Sequence, residues 1–153
     1  MGDMMIIIFT IVFFMIDRIT KIFALKIESS IDIIPNLFRL TLAKNTGIAW
    51  SLFSNDTVII TIVTMVIIFF FIKYVIDNKN GSKLYNVCYA MILGGAFGNL
   101  FDRVFLGYVI DFLDFNIFGY DYPIFNLADT FIVCGIIIIL VGGIRDECNK
   151  RHR

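Results

Sequence analysis

"VIITIVTMVIIFFFIKYVI", residues 58–76, contains a single charged side chain, Lys73. A run of this kind approaches the roughly 20 apolar residues that cross a hydrocarbon core. Three more runs of comparable character cover 4–25, 84–101 and 126–144. The composition agrees. Of 153 residues, 59% are hydrophobic and 16% aromatic, only 17% are charged, and the mean hydropathy is +0.86, outside the balance of a soluble domain. The expected fold class is an all-α integral membrane protein: four transmembrane helices, a small extracytoplasmic β-sheet and an interfacial loop, in one domain over 1–153. Formal net charge is zero, so no global basic field points to nucleic acid.

The first run is read as a retained span. "MGDMM" lacks a basic start, and "MIDRITK" follows where a small-residue cleavage site would be needed. Orientation comes from Lys73, Lys79 and Lys83 between runs two and three, and from Arg145, Lys150, Arg151 and Arg153 in the tail. These place both termini on the cytoplasmic side. Six basic residues, Arg18, Lys21, Lys26, Arg39, Lys44 and Arg103, then fall on the other side and call for a functional explanation. Cys88, Cys134 and Cys148 have neither a disulfide nor a zinc pattern. His152, alone in a basic tail, is no ligand or base.

Two segments on the outer side are more than linkers. "FRLTLAKNTGIAWSLF", 38–53, alternates apolar Phe38, Leu40 and Leu42 with polar Arg39 and Thr41, the period of a half-buried strand. "GYVIDFLDFNIFGYDYPIF", 107–125, is aromatic and broken by Gly107, Gly119 and Pro123, which suits a partly extended interfacial segment. Within it, Asp114 and Asp121 read as solvated loop acids.

Alternating span direction puts Asp17 and Lys21, Asn99, and Asn126 with Asp129 at one level in the outer half. Each is costly against lipid and is expected to face the bundle interior or water. Asp17 and Lys21 share a helix face at i, i+4, as a structural ion pair or as a substrate contact. Arg103 reads as a headgroup anchor or as part of a site. Asp111 and Asp129 point further. Two neighbouring carboxylates can share a proton, one ionised and one protonated, the state with which an aspartyl protease activates water and protonates the scissile group.

"DRITK" at 17–21, "KNTGIAW" at 44–50, "GGAFGNLFDR" at 94–103, "GYVIDF" at 107–112 and "FNLADT" at 125–130 occur in that order. Over essentially its whole length the chain resembles the bacterial lipoprotein signal peptidases, the type II signal peptidases. The resemblance implies an inner-membrane aspartyl endopeptidase that cuts a diacylglyceryl-modified prolipoprotein just before its lipid-bearing cysteine. It implies Asp111 and Asp129 as catalytic acids, Asn45, Asn99, Arg103 and Asn126 around the substrate, and Asp17, Lys21 and Gly47 in support. It implies no metal and no organic cofactor. A monomer is expected, with lipid and the prolipoprotein as partners and the active site near the extracytoplasmic face. Ile48 and Ala49 stand where the family often has Ala-Ala, and Thr130 where serine is common.

Three other classes compete. A phosphatidyltransferase-like enzyme would need acids before the arginine that are missing here. A presenilin-type protease would need "GxGD", which does not occur. A four-helix channel or transporter subunit would use Asp17, Lys21 and Asp129 as a proton or ion path.

Overall fold

The apolar runs fold as helices because, away from water, a helix satisfies every internal backbone group within its own segment. The computed structural model describes residues 2–47, 56–78 and 82–151, the last eight by backbone alone. The helices are α1 (Gly2–Ala24), α2 (Thr57–Asn78), α3 (Lys83–Leu106) and α4 (Leu127–Arg151). By length and composition, α2 and α3 can each cross a membrane, while the apolar part of α4, Leu127–Gly143, is shorter.

Helix α3 is the centre of the bundle and packs against α1, α2 and α4. Its small residues permit this. A Cβ on Gly95 would lie 2.4 Å from the Ala128 carbonyl oxygen, and one on Gly98 would lie 2.3 Å from Asp17 Oδ2. Helix α2 is apolar all round, burying Ile60, Ile68 and Val75 while exposing residues such as Val58, Phe69 and Phe70. That is the pattern of a helix meeting apolar surroundings on most sides. Ser82 caps α3 by accepting from Tyr85 N–H, and Gly107, at φ 79°, ends it. The helix therefore continues past Phe101, where the third run was expected to stop. Asp102 is tolerated in its final turns because it is turned inward to Arg18 and Lys21, and Arg103 because it is turned toward the polar cavity.

Four strands form one antiparallel sheet in the order β1 (Ile31–Ile34), β2 (Phe38–Asn45), β3 (Val109–Ile117), β4 (Tyr120–Asp121). The expected strand at 38–45 is present as β2. The expected interfacial loop is corrected: residues 109–121 are β3, a turn and β4, extended as anticipated but paired into the same sheet. Register sets Phe38 opposite Phe115, Arg39 opposite Asp114, and Asn45 opposite Val109, with a bulge between Leu40 and Ala43. Phe38 and Phe115 stack with centroids 4.6 Å apart.

That register also corrects the reading of Asp114 as a loop acid. Asp114 is buried, and Arg39 Nε donates to its Oδ2 at 2.5 Å. A buried carboxylate on a strand needs a cation, and the cross-strand position supplies one. Asp121 is exposed, as expected, but it lies on β4 and not in a loop, where its Oδ1 accepts from Asn116 Nδ2 at 2.8 Å. One apolar core joins Ile6, Val75, Tyr89, Ala90 and Leu93; a second joins Ala24 of α1 to Ile110 and Phe112 of β3, tying the sheet to the bundle. Cys88 is buried and Cys134 exposed, both as free thiols. Ile48 and Ala49, and with them the departure noted in the "KNTGIAW" block, lie outside the described residues. So do Lys79, His152, Arg153 and the side chains of Arg145, Cys148, Lys150 and Arg151.

Candidate active site between the sheet and helices α1, α3 and α4

The first turn of α4 organises the site. Asn126 precedes the helix, and its Oδ1 accepts from Asp129 N–H at 3.0 Å while Asp129 Oδ2 accepts from Asn126 N–H at 3.2 Å. This is a reciprocal capping box written with Asn and Asp at the spacing usual for Ser/Thr and Glu. It fixes the Asp129 carboxylate at the positive end of the helix dipole. The other Asp129 oxygen accepts from Asn99 Nδ2 at 2.7 Å.

Asp111 comes from β3 and is 2% exposed. Its Oδ1 accepts from Asn126 Nδ2 at 2.7 Å and its Oδ2 from Asn45 Nδ2 at 2.9 Å. A single residue, Asn126, thus holds both acids, one by its side chain and one by its backbone. Asn45 is itself oriented by Gly47, whose N–H donates to Asn45 Oδ1 at 3.0 Å. Burial pushes the Asp111 carboxyl up to about 6; the Asn45 hydrogen bond opposes this, the Asp129 charge adds to it, and the Asn126 bond and Lys21 oppose it.

Beneath the acids lies a buried charge cluster. Lys21 and Asp17 are both fully buried. Lys21 Nζ is 3.0 Å from Asp17 Oδ2, 2.8 Å from Asp102 Oδ2, and donates to Asn99 Oδ1 at 2.9 Å. Two carboxylates and one amide oxygen thus surround the ammonium, which keeps its charge tolerable out of water, although Asp17 Oδ2 meets it as an ion-pair partner without a hydrogen bond. Asn99 Oδ1 also accepts from Asn126 Nδ2 at 3.1 Å. Arg18 pairs with the other oxygen of Asp102.

Arg103 stands at the edge. Its Nη atoms reach the Asn99 and Gly47 carbonyl oxygens only at 3.5 Å, and its Nε is buried without a hydrogen-bond partner. It is turned toward the site and under-used there, which favours the site reading over the headgroup anchor. A cavity of about 920 Å³ opens above, lined among others by Asn45, Gly47, Asn99, Arg103, Asp111 and Asp129. Tyr120, Tyr122 and Phe125 supply aromatic wall, and Val133 and Cys134 continue it along α4.

All nine residues singled out from the sequence therefore fall in one connected network. Sequence reasoning missed Asp102 and Arg18 as members of it. The available signal was cost: an aspartate that deep in an apolar helix requires a cation, and Arg18 lies beside Asp17.

A family model described as signal peptidase II matches residues 9–145. The chain belongs to the signal peptidase II family. It is a protease, and the channel or transporter alternative finds no support. Among signal peptidase II relatives, the lipoprotein signal peptidases of Staphylococcus aureus strains bovine RF122 / ET3-1 and MRSA252 are each 34% identical, over 99% of this chain and 93% of theirs. A bacterial membrane enzyme solved by the in meso method at 2.3 Å resolution superposes with a TM-score of 0.84 at 33% identity, covering 97% of this chain and 92% of that one. A second, at 1.9 Å resolution, gives a TM-score of 0.80 at 32% identity, covering 92% and 93%. This signal peptidase II is accordingly a bacterial membrane protein.

Proposed function

We propose that this signal peptidase is an aspartyl endopeptidase that removes signal peptides from diacylglyceryl-modified prolipoproteins, cutting just before the lipid-bearing cysteine, with Asp111 and Asp129 as its two acids. The observation that carries the reading is the double hold of Asn126 on both carboxylates. In the reactive state the pair shares one proton. The ionised acid takes a proton from water as its oxygen attacks the scissile carbonyl carbon, and the protonated acid gives its proton to the carbonyl oxygen. The tetrahedral intermediate then collapses, the C–N bond breaks, and the leaving amine is protonated from the pair. Raised proton affinity at Asp111 supports this state, because the proton is retained above the ordinary carboxylate range.

The surrounding groups divide the remaining work. Asn45, Asn99 and Asn126 donate to the acids, and the loosely held Nη atoms of Arg103, at the cavity wall, suit a substrate carbonyl. Asp17, Lys21 and Gly47 act in support, through the ion cluster and the Asn45 turn. The cavity walls of sheet and α4 shelter the acids from bulk water.

In the full reading all four helices span the inner membrane, both termini are cytoplasmic, and the acids lie near the extracytoplasmic face. The charged turns of α1 and α3 and the short apolar part of α4 fit four spans because their polar groups are paired within the bundle. The enzyme acts as a monomer among membrane lipids, with no nucleic-acid partner and no cofactor. Incubating the purified protein with a prolipoprotein in lipidated and unlipidated forms tests the substrate class. Cleavage of the lipidated form alone is expected; equal cleavage of both, or of neither, contradicts the proposal.

A further inference from the structure

The polypeptide immediately before each acid is held by a carboxylate of the buried cluster. Ala128 N–H, one residue before Asp129, donates to Asp17 Oδ1 at 3.2 Å. Ile110 N–H, one residue before Asp111, donates to Asp102 Oδ2 at 3.2 Å. Lys21 bridges those two carboxylates, at 3.0 and 2.8 Å. The two acids thus come from different elements, β3 and α4, yet the backbone of each is referred to the same ammonium group.

We propose that Asp102 is a positioning residue for Asp111: by accepting the Ile110 N–H it locks the start of β3 against α1 and α3, and so sets where the Asp111 carboxylate stands relative to Asp129. Three observations support a role beyond neutralising Lys21 and Arg18. Asp102 is fully buried, and so is Ile110, so that this N–H has no water to turn to. Asp102 Oδ2 serves Lys21 and Ile110 together, while Oδ1 is left to Arg18. The chain between the two residues contains the Gly107 turn that ends α3, a joint that this bond closes. Asp102 does not line the cavity, so its action on the acid runs through the strand.

The inference rests on the aspartyl reading of Asp111. Its test compares two double variants that both remove one positive and one negative charge, Arg18→Gln/Asp102→Asn and Arg18→Gln/Asp102→Ala. The asparagine oxygen can still accept from Ile110 N–H; alanine cannot. The readouts are kcat and KM on a lipidated prolipoprotein and hydrogen exchange at the Ile110 amide. The asparagine protein is expected to recover kcat to within about threefold of wild type. The alanine protein should lose on the order of ten- to a hundredfold in kcat with KM unchanged, the scale of a misplaced reacting group, and its Ile110 amide should exchange faster. Equal kcat and equal exchange in the two doubles overturn the proposal. If the alanine protein does not fold, the asparagine protein still decides: a tenfold or greater loss there means charge and not the acceptor is what matters, and the proposal falls. Failure of the aspartyl reading is distinguishable, because the Ile110 exchange readout does not depend on which residues are catalytic.

Discussion

Asn126 caps α4 and also holds both acids, and the two roles can be separated by substitution. Asn126→Ser keeps a hydroxyl oxygen able to accept the Asp129 N–H, but it is too short to donate to Asp111 Oδ1 and Asn99 Oδ1, which now receive bonds of 2.7 and 3.1 Å. Asn126→Ala loses the cap as well. A hydrogen bond to a charged group contributes about 1.5–3 kcal/mol, which converts to roughly tenfold to 150-fold in rate if the bond is needed in the transition state. An N-cap contributes about 1 kcal/mol to stability. Both variants should therefore lose between about tenfold and 150-fold in kcat/KM on a lipidated prolipoprotein without a change in the cleavage point. Alanine alone should lose about a further 1 kcal/mol in thermal or denaturant unfolding. Wild-type turnover by Asn126→Ser would refute the donor role, and equal stability of the two variants would refute the cap.

Other outcomes follow from single contacts. Gly98→Ala puts a Cβ 2.3 Å from Asp17 Oδ2 and should lower both thermal midpoint and cleavage rate, whereas Gly143→Ala, with nothing within 4 Å, should leave the rate unchanged and hold or slightly raise the midpoint. In Asp129→Asn the like charge that raises Asp111 is gone while burial remains, so the Asp111 titration followed by carboxyl carbon NMR should drop below about 6 yet stay above the ordinary aspartate range; an unchanged value would mean the two acids do not interact. The wild-type rate should trace a bell against pH, falling on the acid side as both acids protonate and on the alkaline side as both ionise, with limbs that belong to the pair; a rate that only rises to a plateau excludes a required protonated acid. Asp114→Asn should speed amide exchange along β2 and β3, because Arg39 loses its buried partner, and it should leave the cleavage point where it was.

The helices were legible because apolar runs near 20 residues leave few alternatives, and the level shared by Asp17, Asn99 and Asp129 followed from alternating span direction alone. The hydrogen bonds linking Lys21 to Asn99 and Asn99 to Asp129 bear that level out. Strand β2 was legible from its alternation. Its pairing with β3 was not, because the partners Arg39 and Asp114 are 75 positions apart and nothing local encodes that register. Asp114 was misread for this reason: beside Gly107, Gly119 and Pro123 it looks like a loop acid, and only the cross-strand arginine shows why it is buried. The three-residue spacing of Asn126 and Asp129 is that of a capping box, which fixes the carboxylate itself, but Asn and Asp stand where Ser/Thr and Glu are usual and so do not announce it. Asp102 escaped because its partners, Arg18, Lys21 and the Ile110 N–H, come from other elements and meet only after the bundle closes.

The most direct measurement is cleavage of a lipidated prolipoprotein by purified, folded Asp111→Asn and Asp129→Asn beside the wild-type enzyme. An amide can neither accept a proton from the attacking water nor donate one to the carbonyl oxygen, so wild type should release the signal peptide and each variant should release none, with unfolding midpoints close to wild type. Substantial turnover by either variant would contradict the two-aspartate mechanism.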